Sequence, residues 1–452
     1  MLASLMSVPQ RKLRHLRSVD RDTQKELIKR QFHNWLFLLF YPLLIVLAAA
    51  VRVVLEVLRP FVHIRFGRLW AWSLGQYVTI ESYLCERDLG IQPKHSFDIF
   101  YHYFPHKHTF KPPRGPKAIC NQQLDLMIVR SPIHVWDSAS KLDTLIRMLP
   151  GGSKNFTVQM PAGPDTYMYR NRLTPRFSFT KQEEERGFEE LEALGGEAGR
   201  QFVCFHARDS AYLERALPRI TSIYGDWVEY QARDASITNY LVAVNNLVDM
   251  GYYAIRAGKY PKDPLNSDNP RIIDYGYESH SDFMDVFLSA HCTFFICSNS
   301  GMNGLPAIFA TPIAYVNIMP LNNLHIASNP NSIFIPKKYY SADKGRLLRF
   351  QEIFADPRLG GYPGKGFSNS QEYFGQIGLE IHENTPEEIT GIVLEMEQTL
   401  RGDFQPSHED QELQSRLSSI LGSAVELYPH LDVYQYTRMG AHFLRTHPEL
   451  LE

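Results

Sequence analysis

Apolar and polar positions alternate along this chain in two rhythms, short unbroken apolar runs and longer runs with helical spacing, and their order predicts alternating strands and helices. The clearest unit lies at 293–317. Thr293 to Cys297 has strand length and ends in Ser298-Asn299-Ser300-Gly301, Met302 to Phe309 predicts a short helix, Thr311-Pro312 a turn and Ile313 to Val316 a second strand. The same rhythm precedes it. Phe202 to Phe205 predicts a strand ending His206-Ala207-Arg208-Asp209, and Ile237 to Met250 a helix stopped by Gly251. Tyr252 to Ile255 is the next strand, ending Arg256-Ala257-Gly258, followed by Arg271 to Asp274, ending Tyr275-Gly276, and a helix over Asp282 to Ala290 that starts at Ser279 or Ser281. Strands and helices alternating in this way imply a parallel, doubly wound α/β sheet.

Elsewhere the pattern is less regular. Phe61 to Leu69 reads as a strand and Gly75 to Arg87 as an amphipathic helix, whereas the chain up to Arg172 is rich in aromatic and Pro/Gly loops. Phe179 to Leu194 is helical again, with Thr180 and Glu183 spaced as a capping box and Gly195-Gly196 as the stop. Thr385, Pro386 and Glu388 mark a helix start, and two further helical patterns cover 411–427 and 434–444. Near the start, basic residues such as Arg11, Lys12, Arg14 and Arg17 precede an uninterrupted apolar run from Trp35 to Val51. That run, continued to Leu58, predicts a membrane anchor or re-entrant hairpin whose basic flanks are drawn to anionic lipid; a single type II span and a buried core helix are the alternatives. The divisions that follow are 1–59, a basic segment and anchor; 60–195, a first α/β domain; 196–400, a second, Rossmann-like α/β domain; and 401–452, C-terminal helices.

Composition narrows the field. With 452 residues the chain is long enough for two or three cores, and 44% apolar and 12% aromatic residues exclude disorder as the default. A net charge of −2 gives no basic excess for a nucleic-acid partner. The five cysteines, at 85, 120, 204, 292 and 297, have no paired spacing and argue for a reducing compartment. No Cys/His group has zinc spacing, the histidines at 106 and 108 included, and no metal site is expected.

In a parallel sheet ligands collect at the carboxyl ends of the strands. Those ends carry Arg208, Arg256, Ser298 and Ser300, which the sheet would bring to one crevice. An arginine fork suits a diphosphate, and Ser298, Ser300 and Gly301, opening a helix, suit phosphate oxygens. For each arginine the plain alternative is an ion pair with an acid such as Asp209 or Asp234.

The stretches FHARDSAYL (205–213), YQARDASITNYLVAV (230–244), GYYAIRAGK (251–259), SDFMDVFLSAHCTFFICSNSGMNGLPAIF (281–309) and NTPEEI (384–389) resemble glycosyltransferases of bacterial surface-polysaccharide gene clusters. VHIRFGRL and YLCERD extend the resemblance into the first half, and the 205–210, 281–290 and 294–301 patterns are locally similar to the donor half of fucosyltransferases. Ala207 precedes a single Arg208 where fucosyltransferases tend to have paired arginines, which points away from fucose. The resemblance implies a GT-B-like fold, two Rossmann-like doubly wound domains facing a cleft, with an N-terminal membrane-associating helical segment. It further implies metal-independent transfer from a nucleotide-diphosphate sugar, as substrate rather than cofactor, to a glycan or lipid-linked glycan acceptor at the cytoplasmic face of the inner membrane. Arg208 is then expected at the diphosphate, with Arg233, Asp234 and Arg256 beside it, Ser298, Ser300 and Gly301 at phosphate or ribose, and Asp282 near the base or the helix start. Asp209 and His206 are the candidates for general base. A nucleotide-sugar epimerase or hydrolase of the same fold, and a non-catalytic membrane-attached assembly factor, are the competing readings.

Overall fold

The computed structural model describes residues 42–452 apart from 72, 104–118, 152–153, 161–173, 198, 217–230, 322–331, 361–369 and 428–437. In chain order the first elements are α1 (42–58), β1 (His63–Leu69), α2 (Leu74–Asp88), β2 (Ser96–His102), α3 (Gln122–Arg130), β3 (His134–Val135), α4 (Ala139–Met148) and α5 (Lys181–Ala193). Then come β4 (Phe202–His206), α6 (Leu241–Asp249), β5 (Tyr253–Arg256), β6 (Ile272–Ile273), α7 (Asp282–His291), β7 (Phe295–Cys297), α8 (Gly304–Ile308), β8 (Ile313–Ile318) and β9 (Ile333–Pro336). The last are β10 (Lys338–Ser341), β11 (Arg346–Leu347), β12 (Leu379–His382), α9 (Pro386–Arg401), α10 (His408–Leu427), β13 (Arg438–Met439) and α11 (Ala441–Thr446). The chain divides into two compact units, and these interleave along the sequence: one draws on the segments up to Gly67, His95–Tyr101 and Trp136–Val158, the other on Arg68–Lys94, His102–Val135 and Gln159–Glu452.

The first unit holds most of a three-stranded sheet of order β1-β2-β3, together with α1 and α4. Buried charge inside it is paired. Arg65 donates two bonds of 2.7 Å to the two carboxylate oxygens of Asp98, and Asp143 on α4 accepts from Tyr101 at 2.6 Å and Arg147 at 2.7 Å. Two parallel bonds to one carboxylate are the geometry in which a buried arginine offsets its desolvation. α1 rests Ala48 and Leu55 inward, with Arg52 donating to the carbonyl of Pro150 at 2.6 Å. Its other positions leave an apolar stripe in solvent, Val46 being 66% exposed and Val57 65%. Among the described residues no helix is long and apolar enough to cross a membrane, and residues 35–41 of the expected anchor lie outside them.

The second unit is built on a seven-stranded sheet in the order β13-β9-β8-β7-β4-β5-β6, parallel throughout. The strands are short and buried along nearly their whole length, with all six residues of β8 and all four of β5 and β9 inside. That is the condition for parallel strands covered on both faces, and it explains why they read as unbroken apolar runs. The covering helices form two groups. α6, α9, α10 and α11 pack among themselves, and α2, α3, α5 and α8 gather around α7 and one another. Side-chain caps fix where several begin: Thr180 and Glu183 on α5, and Thr385 and Glu388 on α9, form reciprocal capping boxes, and Ser281 Oγ accepts from Met284 at the start of α7. Gly402 ends α9 at φ +80°, a left-handed conformation that glycine adopts without strain.

Several elements differ from the sequence reading. The helix expected from Ile237 begins as a 3₁₀ turn, Ile237–Tyr240, before α6. The one expected from Met302 is a 3₁₀ turn, Gly301–Asn303, followed by only five α-helical residues in α8. The strand expected from Thr293 begins at Phe295, after Cys292 has capped α7. The pattern at 434–444 yields α11 from Ala441, with 434–437 outside the described residues. A small antiparallel sheet of order β11-β10-β12 joins β9 to α9, and no strand is expected there from the sequence.

Candidate functional site

From β4 the chain builds outward to β5 and β6, then crosses to the other side for β7, β8 and β9. This is the strand order 3-2-1-4-5-6 with one strand added, and its switch point falls between β4 and β7. At such a switch point the chain connections leave neighbouring strands for opposite sides of the sheet, and the carboxyl ends of the two strands are where a ligand crevice is expected. The residues there are Ala207-Arg208-Asp209 after β4 and Ser298-Asn299-Ser300-Gly301 after β7.

The two loops are pinned together. The Arg208 amide donates to Ser298 Oγ at 2.8 Å, and the Ser298 amide donates to the carbonyl of His206 at 3.2 Å. Ser298 is wholly buried, so its hydroxyl holds Arg208 in place and does not face solvent. The Arg208 guanidinium pairs with Asp234, the ion pair that the sequence allowed as the plain alternative. Arg208 also accepts from the Ala235 amide at 2.9 Å through its carbonyl, and Arg233 donates to the carbonyl of Asn299 at 2.8 Å. Arg208, Arg233, Asp234 and Ser298 are therefore one bonded cluster. Burial pushes the Asp234 carboxyl above its ordinary range, against the pull of Arg208.

Lys337, absent from the sequence reading, completes this cluster. It follows β9, is 2% exposed, and donates from Nζ to the Asp234 carbonyl at 2.5 Å. Burial lowers its ammonium to about 8, with Glu383 and Asp234 acting in the opposite direction. The signal that could have found it is the run IFIPKKYY at 333–340, an apolar strand ending in a cation like the other strand ends.

His206 and Asp209 sit on the β5 side. The His206 ring is held with Nδ1 3.1 Å from the Ala257 carbonyl, which only a donor can satisfy, so the neutral ring carries its proton there and keeps Nε2 as acceptor. Burial lowers His206 to about 4. Asp209 accepts from the amides of Ala211 and Lys262, both at 3.0 Å, and braces the loops after β4 and β5. Gly258 lies against the imidazole with φ +114°, where an added Cβ would come within 2.6 Å of Nδ1.

The remaining expected residues are engaged elsewhere. Arg256, 4% exposed, pairs with both oxygens of Asp274 at 3.3 Å and with the Asp263 carbonyl at 2.8 Å, so it closes the β5–β6 side of the sheet. Asp282 accepts from the first amide of α3, Gln122, at 2.9 Å and from Lys259 at 3.4 Å, which ties the starts of α3 and α7 together. Ser300 Oγ accepts from the Met302 amide at 3.2 Å, and Gly301 meets the start of α2, an added Cβ lying 3.6 Å from the Gly75 nitrogen. The phosphate cradle expected from a helix start at 301 is thus weak: a five-residue helix after a 3₁₀ turn carries little aligned dipole. One turn into α7, Asp285 is buried and accepts from Tyr275 at 3.0 Å; burial raises its carboxyl to about 7.

A cavity of about 410 Å³ lies at the other end of the strands, among Phe188, Glu192, Arg200, Phe202, His291 and Thr293. Phe202 and Thr293 stand at the amino ends of β4 and β7, away from the cluster, so this hollow is not the switch-point crevice. Among the described residues no group of three or more His, Cys, Asp or Glu side chains could hold a metal ion.

Strand order and crevice together define the second unit as a doubly wound α/β unit of Rossmann order. No family model matches the chain, and no curated protein does. Similar solved structures include the glycosyltransferase family 9 protein of Veillonella parvula DSM 2008, at 12% identity and TM-score 0.37 over 61% of this chain and 87% of that one. The E. coli ADP-heptose LPS heptosyltransferase II is similar at 12% identity and TM-score 0.37 over 75% and 98%. The iron-containing dodecameric glycosyltransferase TibC of enterotoxigenic E. coli H10407 is similar at 14% identity and TM-score 0.36 over 75% and 76%. At these scores the fold assignment rests on the strand order itself.

Proposed function

We propose that this chain is a glycosyltransferase that moves a sugar from a nucleotide-diphosphate sugar to the hydroxyl of a glycan acceptor. The observation that carries the reading is the Arg208–Ser298 bond at the β4/β7 switch point, which sets a buried arginine at the place where doubly wound sheets bind their ligands. In such a reaction negative charge grows on the leaving diphosphate, and a preorganised cation offsets it without reorganising at the moment of transfer. Arg208 supplies that charge, Ser298 positions it, and Arg233 and Asp234 frame it. His206 offers Nε2 as a proton acceptor, and Asp209 holds the loops that shape the site. No step requires a metal. The exposed apolar stripe of α1 supports attachment to a membrane surface through residues 35–58, and with it a lipid-linked acceptor in surface-polysaccharide synthesis at the cytoplasmic face.

The test is a thermal-shift screen across UDP-, GDP-, CMP- and ADP-linked sugars, followed by binding to the Arg208→Ala protein. Stabilisation by one nucleotide sugar is expected, with Arg208→Ala losing about tenfold or more in affinity for it while binding of the free nucleoside changes little, the loss of a charge-assisted bond being about 1.5–3 kcal/mol. Equal losses for both ligands would remove the diphosphate role, and stabilisation by none of them would leave an assembly factor of the same fold.

A further inference from the structure

Two buried cations converge on one aspartate in this site. Arg208 is 8% exposed and Lys337 2%, and both reach Asp234, the guanidinium through its carboxylate and the ammonium through its carbonyl. The Lys337 ammonium makes that one hydrogen bond and no ion pair among the described residues. Arg208, Arg233 and Lys337 all act on Asp234, as does the like charge of Asp209, while Glu383, which accepts from the Ser236 amide at 2.8 Å, acts on Lys337 from a distance. A buried ammonium short of acceptors is costly, and it persists where a ligand supplies what is missing.

The exposures give a direction. The Asp234 side chain is 26% exposed and the Arg208 side chain 9%, so a molecule arriving from solvent meets the carboxylate first and the cations behind it. We propose that Arg208 and Lys337 form a two-cation seat for a phosphoryl group, and that the Asp234 carboxylate occupies the arginine side of the seat until the ligand displaces it. The inference rests on the donor reading above and deepens it. A phosphoryl group offers more oxygens and more charge than one carboxylate, so it satisfies the guanidinium fork and the ammonium protons that no described residue accepts. The Asp234 carbonyl keeps its bond to Lys337 while the side chain swings out, which leaves the lysine positioned. Burial makes the ammonium's proton easy to lose, and an arriving anion restores it.

Calorimetric titration with inorganic pyrophosphate, on the full chain, tests the seat. Lys337→Met should weaken binding by about tenfold or more, the range for a charged hydrogen bond, and Lys337→Arg should restore most of it. Asp234→Asn removes the occupant's charge and keeps its shape, and it should tighten binding. Cooperative thermal unfolding of each variant without ligand establishes that it is folded, and if Asp234→Asn does not fold, the two Lys337 variants decide. Wild-type protein that does not bind pyrophosphate, equal affinity in Lys337→Met, or weaker binding in a folded Asp234→Asn protein overturns the seat. The donor reading fails separately. A wild-type chain that binds a nucleotide sugar with Lys337→Met unaffected loses the seat and keeps the function, whereas one that binds pyrophosphate through Lys337 but no nucleotide sugar keeps the seat and loses the function.

Discussion

Asp285 offers a prediction whose sign and size both follow from its surroundings. It is buried in α7, where its described neighbours are one hydroxyl donor, Tyr275, the like charge of Asp282 and the more distant Lys259. Burial, aided by Asp282, raises its carboxyl from 3.8 to about 7, with Tyr275 and Lys259 pulling the other way. A carboxyl with a raised native value keeps its proton after the unfolded chain has lost it. Stability therefore falls as pH climbs from the unfolded value to the folded one, and the cost is complete above pH 7. A rise of 7 − 3.8, some three units, corresponds to about 4 kcal/mol in full, or about 1.4 kcal/mol per pH unit inside the window. Asp285→Asn keeps an oxygen for Tyr275 and cannot titrate. Urea unfolding of wild type and variant at several pH values between 5 and 7 should give curves that diverge in favour of the variant by about 1.4 kcal/mol per unit. Any pH-independent defect of the asparagine shifts the whole difference and leaves its slope alone. Parallel curves would show that Asp285 ionises at an ordinary pH and that water reaches it.

Ser298→Ala orphans the buried Arg208 amide and should lower stability by about 1–3 kcal/mol in urea unfolding. It should also weaken nucleotide-sugar binding although Ser298 touches no ligand, and an unchanged unfolding midpoint would mean that β4 and β7 are held by other contacts. Arg256→Met should act the other way round, losing about 3–5 kcal/mol of stability by leaving Asp274 buried and unpaired, with nucleotide-sugar affinity retained in the folded protein; a stable protein with lost affinity would return Arg256 to the crevice.

The contrast between Arg208 and Arg256 shows what a linear chain conceals. Both follow buried apolar runs, both precede alanine or an acid within two residues, and in sequence they look equivalent. The difference lies in strand order: β4 has β7 beside it across the switch point, whereas β5 has β6, and Asp274, the residue after β6, pairs with the guanidinium. Apolar runs reveal strands because parallel strands are covered on both faces, and side-chain caps at Ser281 and Thr385 reveal helix starts because their partners lie three residues on. Neither signal carries information about which strand lies beside which. Lys337 escaped for a related reason. Its strand, β9, runs directly into a small antiparallel sheet and not into a helix, so no helix spacing follows it to mark the alternation. Asn317 and Asn384, 67 residues apart, exchange amide-to-side-chain bonds of 2.6 and 2.7 Å and so fix the end of β8 against the start of α9, close to the lysine. The NTPEEI stretch thus serves the site through its asparagine as much as through its helix cap. Residues that look purely architectural in sequence decide where the cations of the crevice stand.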